Sequence, residues 1–253
     1  STDTEEILGV LGFITTQHFS GISLNHNEAW LAIWRVRDDV KVPGVGVSML
    51  NFLRKKFNID TFCGFGMNQL VIPLYKALKF TVSTLDHSVL INQNISDFSV
   101  LKCGDWKAVQ KKFIPTNYDL ELQNTNSLLN ARTFLDATVF VSAPMKNVEY
   151  IINRYLKHPT YSYKVHAVAK RGATVGLLVT RIITVNGIQI IRVIDYQGEF
   201  DHFSQLNQPL KKLLHETKAE YIDFMQYGMP RDILKNAGFV DIYSISNMVV
   251  PNY

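Results

Sequence analysis

From Ala29 an apolar, strand-like run (AWLAIWRV) passes through a loop holding Gly44 and Gly46 into a helix-like run with Val47, Leu50, Leu53 and Phe57 on one face. A second short strand-like stretch, IDTFCGFG from Ile59, follows it. Strand, glycine loop, helix, strand is an α/β order, and it constrains the chain more than any other feature does. The loop is also the grammar of an anion cradle. Glycines let the backbone turn with its N–H groups inward, and the new helix adds the positive end of its dipole. A plain structural turn would look the same on Gly44 and Gly46 alone.

The continuation narrows the reading. From Asn68 the chain runs NQLVIPLYKALKF, and with the loop before it this resembles the GNAT superfamily of acyl-CoA-dependent N-acyltransferases. That family's loop is Gln/Arg-x-x-Gly-x-Gly/Ala, and its next helix is Asn-x-x-Ala-x-x-Leu-Tyr-x-x-x-Gly-Phe. Lys41, Gly44 and Gly46 supply the loop, and Asn68, Leu74, Tyr75 and Phe80 the helix. Four positions depart from the pattern: Lys41 for Gln or Arg, Val71 for Ala, Lys79 for Gly, and Pro43, which removes one loop N–H. The resemblance implies an acyl-CoA site built from Trp34, Val36, Lys41, Gly44, Val45, Gly46, Val47 and Asn68, with pantetheine docking as a pseudo-strand beside the strand that ends near Val36.

The order of elements then recurs. Strand-like ILGVLGFIT, the strand ending near Val36, its helix, a strand near Thr61, a helix over Asn68 to Leu78 and a strand from Phe80 to about Asn92 make one set. After a looser stretch, the helix NVEYIINRYLKHP stops at Pro159, and strands YKVHAVAKR, TVGLLVTRIITV and IQIIRVIDY follow, with Asn186-Gly187 as a hairpin turn. A helix, a strand, the short helix PRDILKNAG and a terminal strand from Phe239 complete the second set. ILKNAGF from Ile233 lies over LYKALKF from Leu74, so the fold expected is α/β, tandem GNAT-like units with mixed sheets flanked by helices. The units are expected over residues 1–95 and 147–253, with a structured connector at 96–146 holding helical pieces near Trp106 to Phe113 and Ser127 to Phe134. Family members usually carry a further strand and two helices first, so the first unit reads as abridged at its N-terminus or as preceded by residues upstream of Ser1.

The two sets differ where acyl-CoA would sit. QGEFDHFSQL replaces the glycine loop with one glycine and two acids that repel phosphate, and Leu234 stands where Tyr75 stands in the first set. One CoA site, in the first unit, and an acceptor-binding second unit are therefore expected. Together with RYLKHPTYSY and an Ile-Asp-Phe segment, this resembles sugar N-acyltransferases of O-antigen, capsule or protein-glycan pathways, which implies a nucleotide-linked amino sugar as acceptor. By its place in the family's helix Tyr75 is expected to protonate the departing thiolate, and His87 could accept the amine proton. Asp195, Tyr196, Asp223 and Tyr227, at strand ends, are expected to meet the acceptor. Each also has a plain alternative as a core, capping or turn residue. A tRNA-dependent peptidoglycan aminoacyltransferase and a non-catalytic CoA- or nucleotide-binding module are the competing readings.

With 253 residues and 47% hydrophobic composition the chain can fill one large domain or two ordinary ones. A net charge of +4 from scattered Lys and Arg does not point to nucleic acid. Cys63 and Cys103 have neither metal nor disulfide-framework spacing, which leads to the expectation of a reduced, cytoplasmic, metal-independent protein. No apolar run reaches the roughly 18 residues of a membrane span. Nothing in the sequence fixes the oligomeric state.

Overall fold

The computed structural model of the chain describes residues 6–22, 26–104, 119–125 and 146–252. Their contacts divide into two units, the first holding residues up to 82 together with 146–153, the second the remainder. Both helical pieces expected in the connector lie outside the described residues.

In the first unit β1 (Gly9–Thr15) pairs antiparallel with β2 (Glu28–Val36), and α1 (Thr16–Ser20) lies between them in sequence. Helix α2 (Val45–Phe57) crosses over to β3 (Thr61–Cys63), which joins β2 in parallel. A parallel pair needs such a crossover. The apolar stripe of α2 becomes core through Leu50 and Leu53, packed with Ala29, Ile59 and Phe62. Asn58, left-handed at φ 49°, ends the helix, and Arg54, Lys55 and Lys56 meet the negative end of its dipole. A 3-10 turn (Gln69–Val71) leads into α3 (Ile72–Ala77), where Pro73 sits in the first turn and costs no helical hydrogen bond. Helix α4 (Val148–Ile151), capped by the Asn147 side chain, continues as a π-helical turn, Ile152–Leu156. It packs Tyr150 edge-on against Phe19, and Asn153 Nδ2 donates to Phe19 O at 2.9 Å. This helix was expected in the second unit, but its contacts place its start in the first.

The second unit holds a seven-stranded sheet in the order β10-β4-β9-β8-β7-β6-β5. Its strands are β4 (Asp86–Ile91), β5 (Leu120–Asn124), β6 (Tyr163–Lys170), β7 (Ala173–Val185), β8 (Ile188–Gly198), β9 (Tyr221–Gln226) and β10 (Val240–Asp241). All neighbours are antiparallel except β8 and β9. The β7–β8 hairpin turns on Asn186 and Gly187 with positive φ at both, as a two-residue loop requires. Helices α5 (Phe200–Ser204), α6 (Asn207–Thr217) and α7 (Arg231–Asn236) link the later strands. Leu206, Leu210, Leu214 and Phe203 pack on one face of the sheet against Leu178, Ile191, Ile222 and Phe239. Strand β4, expected at the end of the first unit, is instead an interior strand here, buried between β9 and β10. Its run of Val89, Leu90 and Ile91 is apolar on both faces, which suits an interior strand and not an edge.

The two units share wiring to the level of single hydrogen bonds. Each has an antiparallel hairpin whose second strand carries one unmatched residue, Ala32 on β2 and Ile194 on β8. Each then has a helical crossover to a strand paired in parallel at three positions only. Helices α3 and α7 end alike, with Phe80 N donating to Tyr75 O and Phe239 N to Leu234 O, at 3.0 and 2.9 Å, around left-handed Lys79 and Gly238. The sequence match of LYKALKF with ILKNAGF is thus a match of cap geometry.

Candidate acyl-carrier site

In the first unit β2 and β3 are laddered only at Glu28–Thr61, Ala29–Phe62 and Trp30–Cys63; β3 stops while β2 runs on to Val36. Along Leu31 to Val36, β1 occupies one edge of β2, and no strand occupies the other among the described residues. That open edge presents backbone N–H and C=O groups to an extended ligand. The chain then turns at Gly44, φ 81°, and enters α2 with no side chain capping its first N–H groups. The first helical bond is Ser48 N to Gly44 O at 2.9 Å, so the amides of Val45, Gly46 and Val47 precede it. Val36, Val45 and Val47 are half-buried, and Lys41 is exposed on the loop.

Gly46 has a reason beyond phosphate approach. A Cβ there would lie 3.0 Å from the indole Nε1 of Trp34, so the glycine lets the first turn of α2 settle on that ring. Trp34 in turn meets Tyr75 edge-on at 5.6 Å, and Tyr75 meets Phe80 at 5.4 Å. The helix start, the open strand and the tyrosine of α3 are thereby held in one cluster. Burial pushes the Tyr75 phenol above its ordinary pKa, and its hydroxyl makes no hydrogen bond to the described residues. It is a protonated donor at neutral pH. Asn68 has a local duty, since its Oδ1 accepts from Leu70 N at 2.9 Å and caps the 3-10 turn. A largely apolar cavity of about 490 Å3 in this unit lies between β1 and α2, lined by Leu11, Phe13, Pro43 and Phe52 and reaching Val45 and Ser48 at the helix start.

The remaining expected site residues all belong to the second unit. His87 lies on β4 with its Nε2 3.3 Å from Asp223 Oδ2. Asp223 is fully buried and also takes Arg192 Nη2 at 2.7 Å and Nε at 3.1 Å, while Arg192 Nη1 donates to Asn252 Oδ1 at 3.0 Å. The structure therefore joins His87 and Asp223, expected in different roles, and adds Arg192, which sequence reasoning passed over. A charge within the apolar strand IQIIRVIDY was the available signal, because such a charge needs a buried partner. Asp223 is no acceptor contact: it is sealed by its ion pair. Tyr196 faces the other side of the sheet, its ring 4.9 Å from Phe203 and its hydroxyl donating to Glu199 O at 2.8 Å. Burial raises its pKa, and its ring packs against the core of the second unit. Asp195 accepts from Tyr155 Oη at 2.7 Å, and Tyr227 is exposed.

Among the described residues no three His, Cys, Asp or Glu side chains converge as metal ligands, and no helix is long and apolar enough to cross a membrane.

No protein-family model matches the chain, and no curated protein matches it. Solved structures do. A GCN5-related N-acetyltransferase from Anabaena variabilis is similar at 9% identity and TM-score 0.49, over 96% of this chain and 57% of that one. Saccharomyces cerevisiae N-myristoyltransferase with bound myristoyl-CoA is similar at 7% and 0.46, over 94% and 65%. Eis1 from Mycobacterium abscessus is similar at 10% identity and TM-score 0.50, over 98% of this chain and 61% of that one. The chain thus spans about three-fifths of the length of these structures. The likeness to Eis1 is one of fold alone, and with the paired hairpin–crossover units it makes this a mixed α/β chain of GNAT-like fold, its mixed sheets flanked by helices.

Proposed function

We propose that the chain is an acyl-CoA-dependent N-acyltransferase, that its first unit holds the acyl carrier, and that the acceptor is the amine of a nucleotide-linked amino sugar. The observation that carries the reading is the open edge of β2 running toward an uncapped helix start, with Tyr75 clustered on Trp34 between them. Pantetheine would add to that edge as a strand, and its diphosphate would meet the amides of Val45, Gly46 and Val47. The neutral amine attacks the thioester carbonyl, the C–N bond forms, and backbone N–H groups of the open edge receive the developing oxyanion. As the C–S bond breaks, the phenol of Tyr75 gives its proton to the thiolate. His87 has no part in this scheme, since it is buried with its Nε2 on Asp223; the ammonium formed by the attack sheds its proton to water, and water returns a proton to the Tyr75 phenolate. The compartment that goes with free Cys63 and Cys103 is the cytoplasm.

A panel of acyl-CoAs against amino-sugar nucleotides, read by release of free thiol, tests the proposal. Turnover with at least one pair is expected, and Tyr75→Phe is expected to lower kcat by about 10- to 100-fold with CoA affinity nearly unchanged. A Tyr75→Phe enzyme with wild-type kcat removes the phenol from the mechanism, and a chain that binds no CoA removes the reading itself.

A further inference from the structure

A second cluster, in the second unit, joins the turn after the π-helix to the middle of the sheet. Tyr163 on β6 stands opposite Arg181 on β7, Arg181 opposite Arg192 on β8, and Arg192 opposite Asp223 on β9. Residues directly opposite in a ladder share a face, so two arginines are neighbours on one face of the sheet, an arrangement that repels unless both charges are matched. Asp223 serves Arg192. Arg181 has no carboxylate partner among the described residues; its guanidinium lies 4.1 Å from the ring centre of Tyr161. A guanidinium stacked in that way keeps its in-plane N–H groups free for a planar or tetrahedral anion.

The surroundings add donors. His158 stacks on Tyr161 with ring centres 5.1 Å apart, and its Nδ1 accepts from the amides of Thr160 and Tyr161 at 3.1 and 2.9 Å. The neutral ring therefore carries its proton on Nε2, as a donor. Burial first, then the guanidinia of Arg154 and Arg181, lower the His158 pKa, so the imidazole is a neutral donor in a positive field. Arg154 lies over the rings of Tyr155 and Tyr163, at 5.5 and 5.9 Å. The nearby carboxylate, Asp195, accepts from Tyr155.

From these contacts we propose that Arg181 and the Nε2–H of His158, on the Tyr161 platform, bind the phosphates of a nucleoside diphosphate, the carrier portion of the acceptor. That the phosphates belong to the acceptor rests on the function proposed above; the same chemistry could come from CoA, and the test separates the two. Uridine diphosphate and CoA are titrated calorimetrically into wild type, Arg181→Gln, Arg181→Lys and Gly46→Val. Uridine diphosphate is expected to bind wild type, to weaken by about tenfold or more in Arg181→Gln and by less in Arg181→Lys. CoA affinity is expected to stay within about twofold in both Arg181 variants and to fall in Gly46→Val. No uridine diphosphate binding by wild type, or equal binding by Arg181→Gln, overturns the inference and leaves the CoA site standing. Loss of CoA binding with Arg181 assigns the cluster to the acyl carrier, which also overturns it. Should Arg181→Gln not fold, phenylglyoxal labelling of Arg181 in wild type gives the same decision: slowing by uridine diphosphate but not by CoA supports the site, and no slowing rejects it.

Discussion

Asp223 carries the plainest consequence at the scale of one residue. It is fully buried and holds Arg192 through three close contacts, so its removal takes away the carboxylate that those contacts set against a guanidinium within the sheet. Asp223→Asn is expected to cost about 3–5 kcal/mol, while Arg192→Met with Asp223→Leu recovers most of it; urea unfolding of the three proteins measures both. His166 makes a pH prediction. It is buried on β6 with its Nε2 3.0 Å from Thr180 Oγ1, and burial, with Lys164, lowers its pKa from 6.5 to about 4. The folded state keeps the imidazole neutral while the unfolded chain takes up a proton below pH 6.5, so stability is present above that pH and lost as pH falls toward 4. The loss amounts to about 3 kcal/mol. Unfolding measured at pH 7 and pH 4.5 should show a smaller difference in His166→Asn than in wild type. Neither residue's role was legible in the sequence: the periodicity of IQIIRVIDY places Arg192 in a strand but cannot say which carboxylate faces it.

Elements were more legible than partners. The glycine loop, the α2 stripe, the Asn186-Gly187 hairpin and the Phe80/Phe239 register all fold as the residues prescribe, because each is decided within about ten neighbouring residues. Strand β4 and helix α4 were assigned to the other unit because pairing across the chain leaves no mark on local pattern. The paired helix ends offer a direct comparison. Lys79 holds φ 63° where Gly238 holds φ 94°. An L residue pays for the left-handed region, so Lys79→Gly is expected to stabilise the chain by about 0.5–1 kcal/mol. Gly238→Ala is expected to destabilise it by about 2–4 kcal/mol, since a Cβ there would fall 2.0 Å from Asn207 Nδ2 in addition to the backbone strain. Thermal melts of the two variants should move in opposite directions.

Across the whole molecule the two units share wiring and differ in equipment. Among the described residues the first has the tyrosine, the glycine loop and the indole beneath its helix start; at the matching places the second has Leu234, which is buried, and Glu199 ahead of α5. Hydrogen exchange with saturating CoA is therefore expected to protect amides between Leu31 and Ser48 and to leave those of 199–206 unchanged. The half-laddered β2 has one more consequence. With no described strand on its far edge along Leu31 to Val36, β2 offers neighbouring molecules a template for strand addition, with the exposed Ile33 beside it to reward the contact. A thioester carrier lying along that edge would act as a plug, and scattered light from concentrated samples should fall when CoA is added.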